Sequence, residues 1–328
     1  MRWTRTGRGA RAAAVTGALV GAVVLTGCGG TQPEAGGGTG GAAAEGTRTV
    51  RHAMGETEVT GSPERVVVLD TGELDATLAL GVTPVGATRT DVSDELPGFV
   101  AEAGVDPADI ADVGTIAEPD LEAIAALEPD LVLSNSVRHA EVYEQLSGIA
   151  PTVFAEAIGE SWQDNLLLAG EALGRAGEAQ ALLDGYTARA RQVGELYRDP
   201  AATEVSVVRF LDGTLIRLYG EGSFIGSVLA DVGFARPEVQ RTQETFVEVS
   251  PEQVTSADGD LLFHAAYGDE GVAAAGQVTA GPLWQSIPAV AEGRAAAVDD
   301  DRWFLGLGPL GAGLVLDDLE ELSGQLAG

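Results

Sequence analysis

The stretch "SWQDNLLLAGEALGRAGEAQALLDGYTARARQVGELYRD", residues 161–199, limits the possible folds more than any other part of this chain. Leu166, Leu167, Leu168, Ala172, Leu173 and Ala176, then Ala179, Leu182, Leu183 and Tyr186, recur at helical spacing. Ser161 is a good residue to cap the start. Gly174 and Gly177 are the points where the pattern can split into two helices. Unbroken from 162 to 193, it would run about 48 Å at ~1.5 Å per residue, long enough to bridge two lobes. On either side the chain alternates strands and helices. Before it come the buried-type strand "ERVVVLD" (64–70) and a helix over 70–81, with Asp70 and Glu73 in a capping-box pattern and Gly81 as its stop. A strand over 82–88, a helix from Leu121 to Leu127, the strand "DLVLS" and a strand closing 146–155 follow. After it come strands at 204–211 and 215–220, a helix over 223–233, a helix and strand over 250–265, a strand at 294–300 and a terminal helix over 311–326. Such alternation implies parallel sheets covered on both faces.

Two segments obey one rule. Glu122 precedes Asp130 by eight positions, and Glu252 precedes Asp260 by the same eight, one before the long helical stretch and one after it. The fold class expected is α/β: two α/β lobes with mainly parallel sheets, joined by one long rigid helix. The boundaries expected are 48–160 for the first lobe, 161–199 for the connecting helix and 200–328 for the second lobe.

The start of the chain has its own logic. Arg2, Arg5, Arg8 and Arg11 precede an apolar, small-residue run ending near Leu25. That is the layout of a secretory signal, and the run is too short for a good membrane span. Leu25-Thr26-Gly27-Cys28 resembles the lipobox of bacterial lipoproteins. The resemblance implies cleavage after residue 27 and lipid attachment at Cys28, the sole cysteine. One cysteine makes no internal bridge, so stability must come from packing. Residues 28–47, rich in Gly and Ala, read as a flexible tether.

Net charge −31 argues against nucleic acid or anionic lipid as partners. All 19 basic residues are arginine, a side chain whose planar fork suits carboxylates and other oxyanions. The three histidines form no zinc-type cluster, so no metal site is expected. No serine sits in a G-x-S-x-G turn and Cys28 is assigned to lipid, which disfavours an exported α/β hydrolase. "GEGSFIGS" misses the dinucleotide fingerprint because Ile225 stands where glycine is required.

Several phrases in order, "GSPERVVVLD", "LEAIAALEPDLVLS", "RHAEVYEQLSGIAPTVF", "GSFIGSVLADVG", "VSPEQVTSADGDLLF" and "PLWQSIPAVAEGRAAAV", resemble the substrate-binding lipoproteins of ABC importers for ferric siderophores, whose relatives bind haem and cobalamin. The resemblance runs from about Val50 to Leu326. It implies a non-enzymatic, monomeric receptor anchored by lipid on the extracytoplasmic face of the cell membrane. Ligand would be held in a cleft between the lobes and delivered to an ABC permease. No cofactor is expected, since the iron arrives inside the siderophore.

Within that frame Arg138, past the strand "DLVLS", is a ligand candidate, because ligands of open α/β sheets collect at the carboxyl ends of strands. Arg217 and Tyr219 share a strand face. Arg209 and Arg89 lie on or after strands, and Trp162, Trp284, Arg302 and Trp303 are candidate walls. The several arginines favour a hydroxamate or carboxylate-containing siderophore. His264 and Tyr267 would be the natural iron ligands if the cargo were haem instead. In the resembled family one acid on each lobe docks to permease arginines; Glu122 and Glu252 fall on those positions.

Overall fold

The computed structural model describes residues 46–211 and 215–326, which lie within one compact unit. The signal segment, Cys28 and nearly all of the tether lie outside the described residues. The first described element is a hairpin of β1 (Thr47–His52) and β2 (Gly55–Thr60), so Thr47 belongs to a strand rather than the tether.

A five-stranded sheet follows. Its strands are β3 (Val66–Val68), β4 (Gly86–Arg89), β5 (Ala111–Thr115), β6 (Leu131–Asn135) and β7 (Thr152–Ala155), ordered β5-β4-β3-β6-β7 and parallel throughout. Helices α1 (Thr71–Ala79) and α2 (Leu121–Ala126) belong to this lobe. Val66, Val67 and Val68 are wholly buried because both sheet faces are covered, which is why the strand reads as an unbroken apolar run. Asp70 caps α1 by accepting the Thr71 N–H at 2.7 Å, but Glu73 turns inward instead of closing a capping box.

The expected connecting helix is two helices. α3 (Trp162–Leu173) ends at Gly174, whose φ of 73° is a left-handed cap that glycine adopts without strain. α4 (Ala176–Gly194) then continues for about 28 Å at ~1.5 Å per residue. Ser161 precedes α3 without capping it through its side chain. α4 reaches both cores: Ala179 packs in the first, and Tyr186, Ala190 and Val193 in the second.

The second sheet holds β8 (Val205–Phe210), β9 (Ile216–Tyr219), β10 (Phe246–Val249), β11 (Leu261–Ala266) and β12 (Ala295–Ala297), ordered β10-β9-β8-β11-β12. β8, β11 and β12 are parallel, whereas β9 runs antiparallel to both β8 and β10. Only five residues separate β8 from β9, too few for the helical crossover that a parallel pair requires. α5 (Phe224–Val232) and α6 (Gly268–Thr279) belong to this lobe. The last helix, α7 (Pro309–Leu326), is a second bridge. Leu310 and Leu314 pack on the first core, and Ala312, Val315, Leu316 and Leu319 are buried in the second.

Asp75 of α1 fastens this junction. Its fully buried carboxylate accepts the N–H groups of Leu310 and Gly311, each at 2.8 Å, at the start of α7. Burial pushes its pKa up to about 7, against the opposing pull of the Gly311, Leu310 and Gly308 backbone donors. Gly308 is required there, because an added Cβ would lie 2.5 Å from the Asp75 Oδ1.

Candidate functional site

The carboxyl ends of strands from both sheets meet at one cavity of about 680 Å³. Thr90, Leu211 and Tyr267, the residues that directly follow β4, β8 and β11, all line it, together with Val92, Ser93, Asp269, Glu270, Asp300, Asp301 and Leu305. Its size falls within the ~300–1,000 Å³ range of small-molecule sites. The Thr90 side chain comes close enough to the Tyr267 phenol from the other lobe to pull its pKa down, against the larger upward push of burial. Asp301 accepts the Gly98 N–H at 2.9 Å, and Arg302 bonds Glu102 at 3.1 Å, a second pair of contacts between the lobes.

On the second lobe the centre is Arg209, buried on β8. Its Nε and Nη2 donate to the two carboxylate oxygens of Asp300 at 2.7 and 2.6 Å, and its Nη1 donates to the Tyr219 hydroxyl at 3.2 Å. The guanidinium carbon lies 4.4 Å from the Tyr267 ring centroid and 4.8 Å from that of Phe304. Burial alone would lower the Arg209 pKa, but Asp300 and Tyr219 outweigh it and the net shift is upward. Arg209 is thus a structural cation beneath the aromatic wall of the cavity.

On the first lobe the arrangement is reversed. Asp70 and Glu73 are buried, and Asn135, at the end of β6, donates to them at 3.2 and 3.4 Å. Arg138, with 47% of its side chain exposed, points its Nε at the Asp70 Oδ2 at 3.4 Å. Burial, then the neighbouring Asp70 charge, pushes the Glu73 pKa up to about 8. Arg138 is therefore half held by a buried acid and half presented to water, just past the carboxyl end of β6, and it is not among the residues that line the cavity.

The other candidates are placed differently. Arg89 is buried and donates to the carbonyls of Ala87, Ile110 and Asp94, holding the loop after β4. Arg217 and Tyr219 do share a strand face, both touching Phe246; Arg217 lies 3.9 Å over that ring and pairs with Glu248 at 3.3 Å. Arg302 is taken up by Glu102 and Asp318. The three tryptophans are core residues, not cleft walls. Trp162 packs 4.8 Å from Tyr186, Trp303 4.8 Å from Phe263 and Trp284 5.6 Å from Phe210, each at most 3% exposed. His264 packs edge-on to Trp284 and is not among the residues that line the cavity, so it does not face it beside Tyr267 as a haem ligand would.

Glu122 and Glu252 are both exposed, each in the first turn of its element. Asp120 caps α2, and a Ser250–Gln253 capping box starts the 3₁₀ turn Pro251–Ala257. A hydrogen bond from Ser250 holds the Glu252 pKa below its ordinary value.

Sequence reasoning missed the Arg209–Asp300 pair, the Asp70–Glu73–Asn135 cluster and Asp75. A faint signal existed for the last two: "TGELDATLALG" carries two acids inside an otherwise apolar helix. Among the described residues no group of three or more His, Cys, Asp or Glu could hold a metal ion, and no helix is long and apolar enough to cross a membrane.

Comparison with known proteins adds to this geometry. A family model described as periplasmic binding protein matches residues 66–301. The chain is 38% identical over 286 residues to the "Probable siderophore-binding lipoprotein YfiY" of Bacillus subtilis, covering 84% of this chain and 87% of that one. It is 31% identical over 289 residues to the Fe(3+)-citrate-binding protein YfmC of the same species, covering 87% and 88%. The crystal structure of Staphylococcus aureus SirA complexed with staphyloferrin B superposes with a TM-score of 0.74 at 31% identity, covering 84% of this chain and 98% of that one.

Proposed function

Because the chain belongs to the periplasmic binding protein family, we propose that it is an extracytoplasmic lipoprotein that captures a ferric siderophore between its lobes and delivers it to an ABC importer permease. The observation that carries this reading is the cavity at the facing strand ends, in a chain similar to YfiY, which is named as siderophore-binding, and to SirA, whose crystal structure holds staphyloferrin B. The protein binds and releases; it does not catalyse. Iron reaches it already coordinated, so the cavity needs donors and flat surfaces, not metal ligands. Thr90 and Ser93 from the first lobe and Tyr267 from the second supply these.

The first lobe runs from Thr47 to 160 and the second spans 200–328, with α3 and α4 between them. Cys28 carries the lipid, residues 28–46 set the lobes off the membrane, and the receptor works as a monomer. Glu122 and Glu252, one exposed acid per lobe, dock to the permease. The packing of His264 against Trp284 and Phe210, outside the cavity lining, favours a siderophore over haem.

Native mass spectrometry tests the reading. The protein is offered an equimolar mixture of ferric siderophores, haem and cobalamin. One ferric chelate per chain is the expected added mass. Addition of haem or cobalamin alone would overturn the assignment.

A further inference from the structure

The cavity carries a charge that the candidate arginines do not offset. From the first lobe, the loop after β4 brings Asp91 close enough for its charge to act on Tyr267. From the second, Asp269 and Glu270 open α6, and Asp300 and Asp301 follow β12. Asp300 is balanced by Arg209. The other four are not: among the described residues, no arginine or histidine lies within ion-pair distance of Asp91, Asp269, Glu270 or Asp301. No arginine or histidine is among the residues that line the cavity. Asp301 is held in place by the Gly98 N–H.

Resting on the siderophore reading, we propose that this cavity selects ferric complexes that bear a positively charged arm, namely a hydroxamate chelate ending in a protonated amine, over anionic citrate-type complexes. Three singly charged hydroxamates balance ferric iron, so the chelate itself is neutral. Its oxygens need donors without surplus charge, and the hydroxyls of Thr90, Ser93 and Tyr267, which line the cavity, are of that kind. An ammonium on the arm then meets Asp269 and Glu270, in a partly enclosed cleft where charges attract more strongly than in bulk water. The Tyr267 ring beside them is a surface that a cation favours. A citrate-type complex keeps unbalanced carboxylates. It would meet four like charges, and repulsion of this kind excludes the wrong ligand as effectively as attraction admits the right one. This sets the chain apart from what the name of YfmC says that protein binds.

The test is calorimetric titration of the purified protein with three probes. They are the ferric complex of a linear tris-hydroxamate with a terminal primary amine, the same complex with that amine acetylated, and ferric citrate. The amine complex is expected to bind at least tenfold more tightly than its acetylated form, with ferric citrate weakest. High salt should narrow the gap, since screening acts on the charge and not on the chelate. Asp269→Asn with Glu270→Gln should narrow it too, by weakening the amine complex more than the acetylated one. Equal affinity for the amine and acetylated complexes, or tightest binding of ferric citrate, overturns the charge preference while the siderophore reading stands. Binding of none of the three overturns both.

Discussion

The two lobes share a strand order but arrange charge differently at the cavity end. In each sheet the first strand is central, in the orders β5-β4-β3-β6-β7 and β10-β9-β8-β11-β12. Each central strand is entered in the same way. The Asp130 carboxylate accepts the N–H groups of Glu64 and Arg65 ahead of β3, and the Asp260 carboxylate accepts that of Glu204 ahead of β8. Eight positions before each aspartate stands an exposed glutamate. At the cavity end the likeness stops. The first lobe buries Asp70 and Glu73 and leaves Arg138 half in water. The second buries Arg209 and leaves Asp269 and Glu270 exposed. A buried charge must be matched by the fold, whereas an exposed one remains available to a ligand. The same architecture therefore offers a cation from one side and anions from the other.

The sharpest way to break this comparison is to truncate the two arginines separately. Arg209→Ala removes a buried cation from Asp300 and strips packing from Tyr267 and Phe304. It should cost about 3–5 kcal/mol of stability, the usual cost of breaking a buried pair. Arg138→Ala should cost less, because Arg138 is half in water and the buried Asp70 keeps its bonds from the Thr71 N–H and Asn135. Chemical denaturation of both variants measures the difference, and equal losses would remove the inside-out contrast.

Acidity probes the same asymmetry. The Glu73 and Asp75 carboxyls, at about 8 and about 7 in the fold, keep protons that the unfolded chain releases nearer 4.5 and 3.8. A carboxyl pKa raised on folding gives stability that is complete below the unfolded value and is lost as pH climbs through the folded one. Melting temperature should therefore fall as pH rises from about 5 to about 8.5. Glu73→Gln should flatten that fall; an unchanged slope would show that Glu73 is ionised throughout.

Binding is the next level. Arg138→Ala should weaken the ferric ligand by about 1–3 kcal/mol, the range for hydrogen bonds to charged groups, whereas Arg217→Ala should not, because Arg217 is taken up by Phe246 and Glu248. Unchanged affinity in Arg138→Ala would take that arginine out of the site. The smallest effect on the isolated protein belongs to Glu122→Ala with Glu252→Ala, which should leave affinity intact while abolishing iron uptake by cells. Normal uptake would reduce the two glutamates to residues of a helical first turn.

Much of this architecture was legible beforehand, for physical reasons that vary by element. Val66–Val68 and Leu131–Asn135 read as strands because a strand buried on both faces needs continuous apolar residues. α5 could be placed between Ser223 and Gly233 because both caps are chemically encoded. The eight-residue rule worked because Asp130 and Asp260 do the same job in both lobes. The antiparallel β9 was not legible, since an apolar run carries no direction. The tryptophans misled for a related reason: a large aromatic ring suits a cleft wall and a core equally well. The Arg209–Asp300 partnership joins residues 91 positions apart, and pattern along the chain does not report it.

The central claim is that the facing strand ends form the ligand site. Ser93 is exposed and lines the cavity, so Ser93→Trp should obstruct it without disturbing the core. Titration calorimetry of wild type and Ser93→Trp with the same ferric siderophore tests the claim directly; because the tryptophans Trp162, Trp284 and Trp303 are buried, heat is a better readout than their fluorescence. Wild type should bind one complex per chain, and the variant at least ~10-fold more weakly, a change of about 1.4 kcal/mol, with an unchanged melting temperature. Equal dissociation constants for the two proteins would contradict it and place the ligand elsewhere.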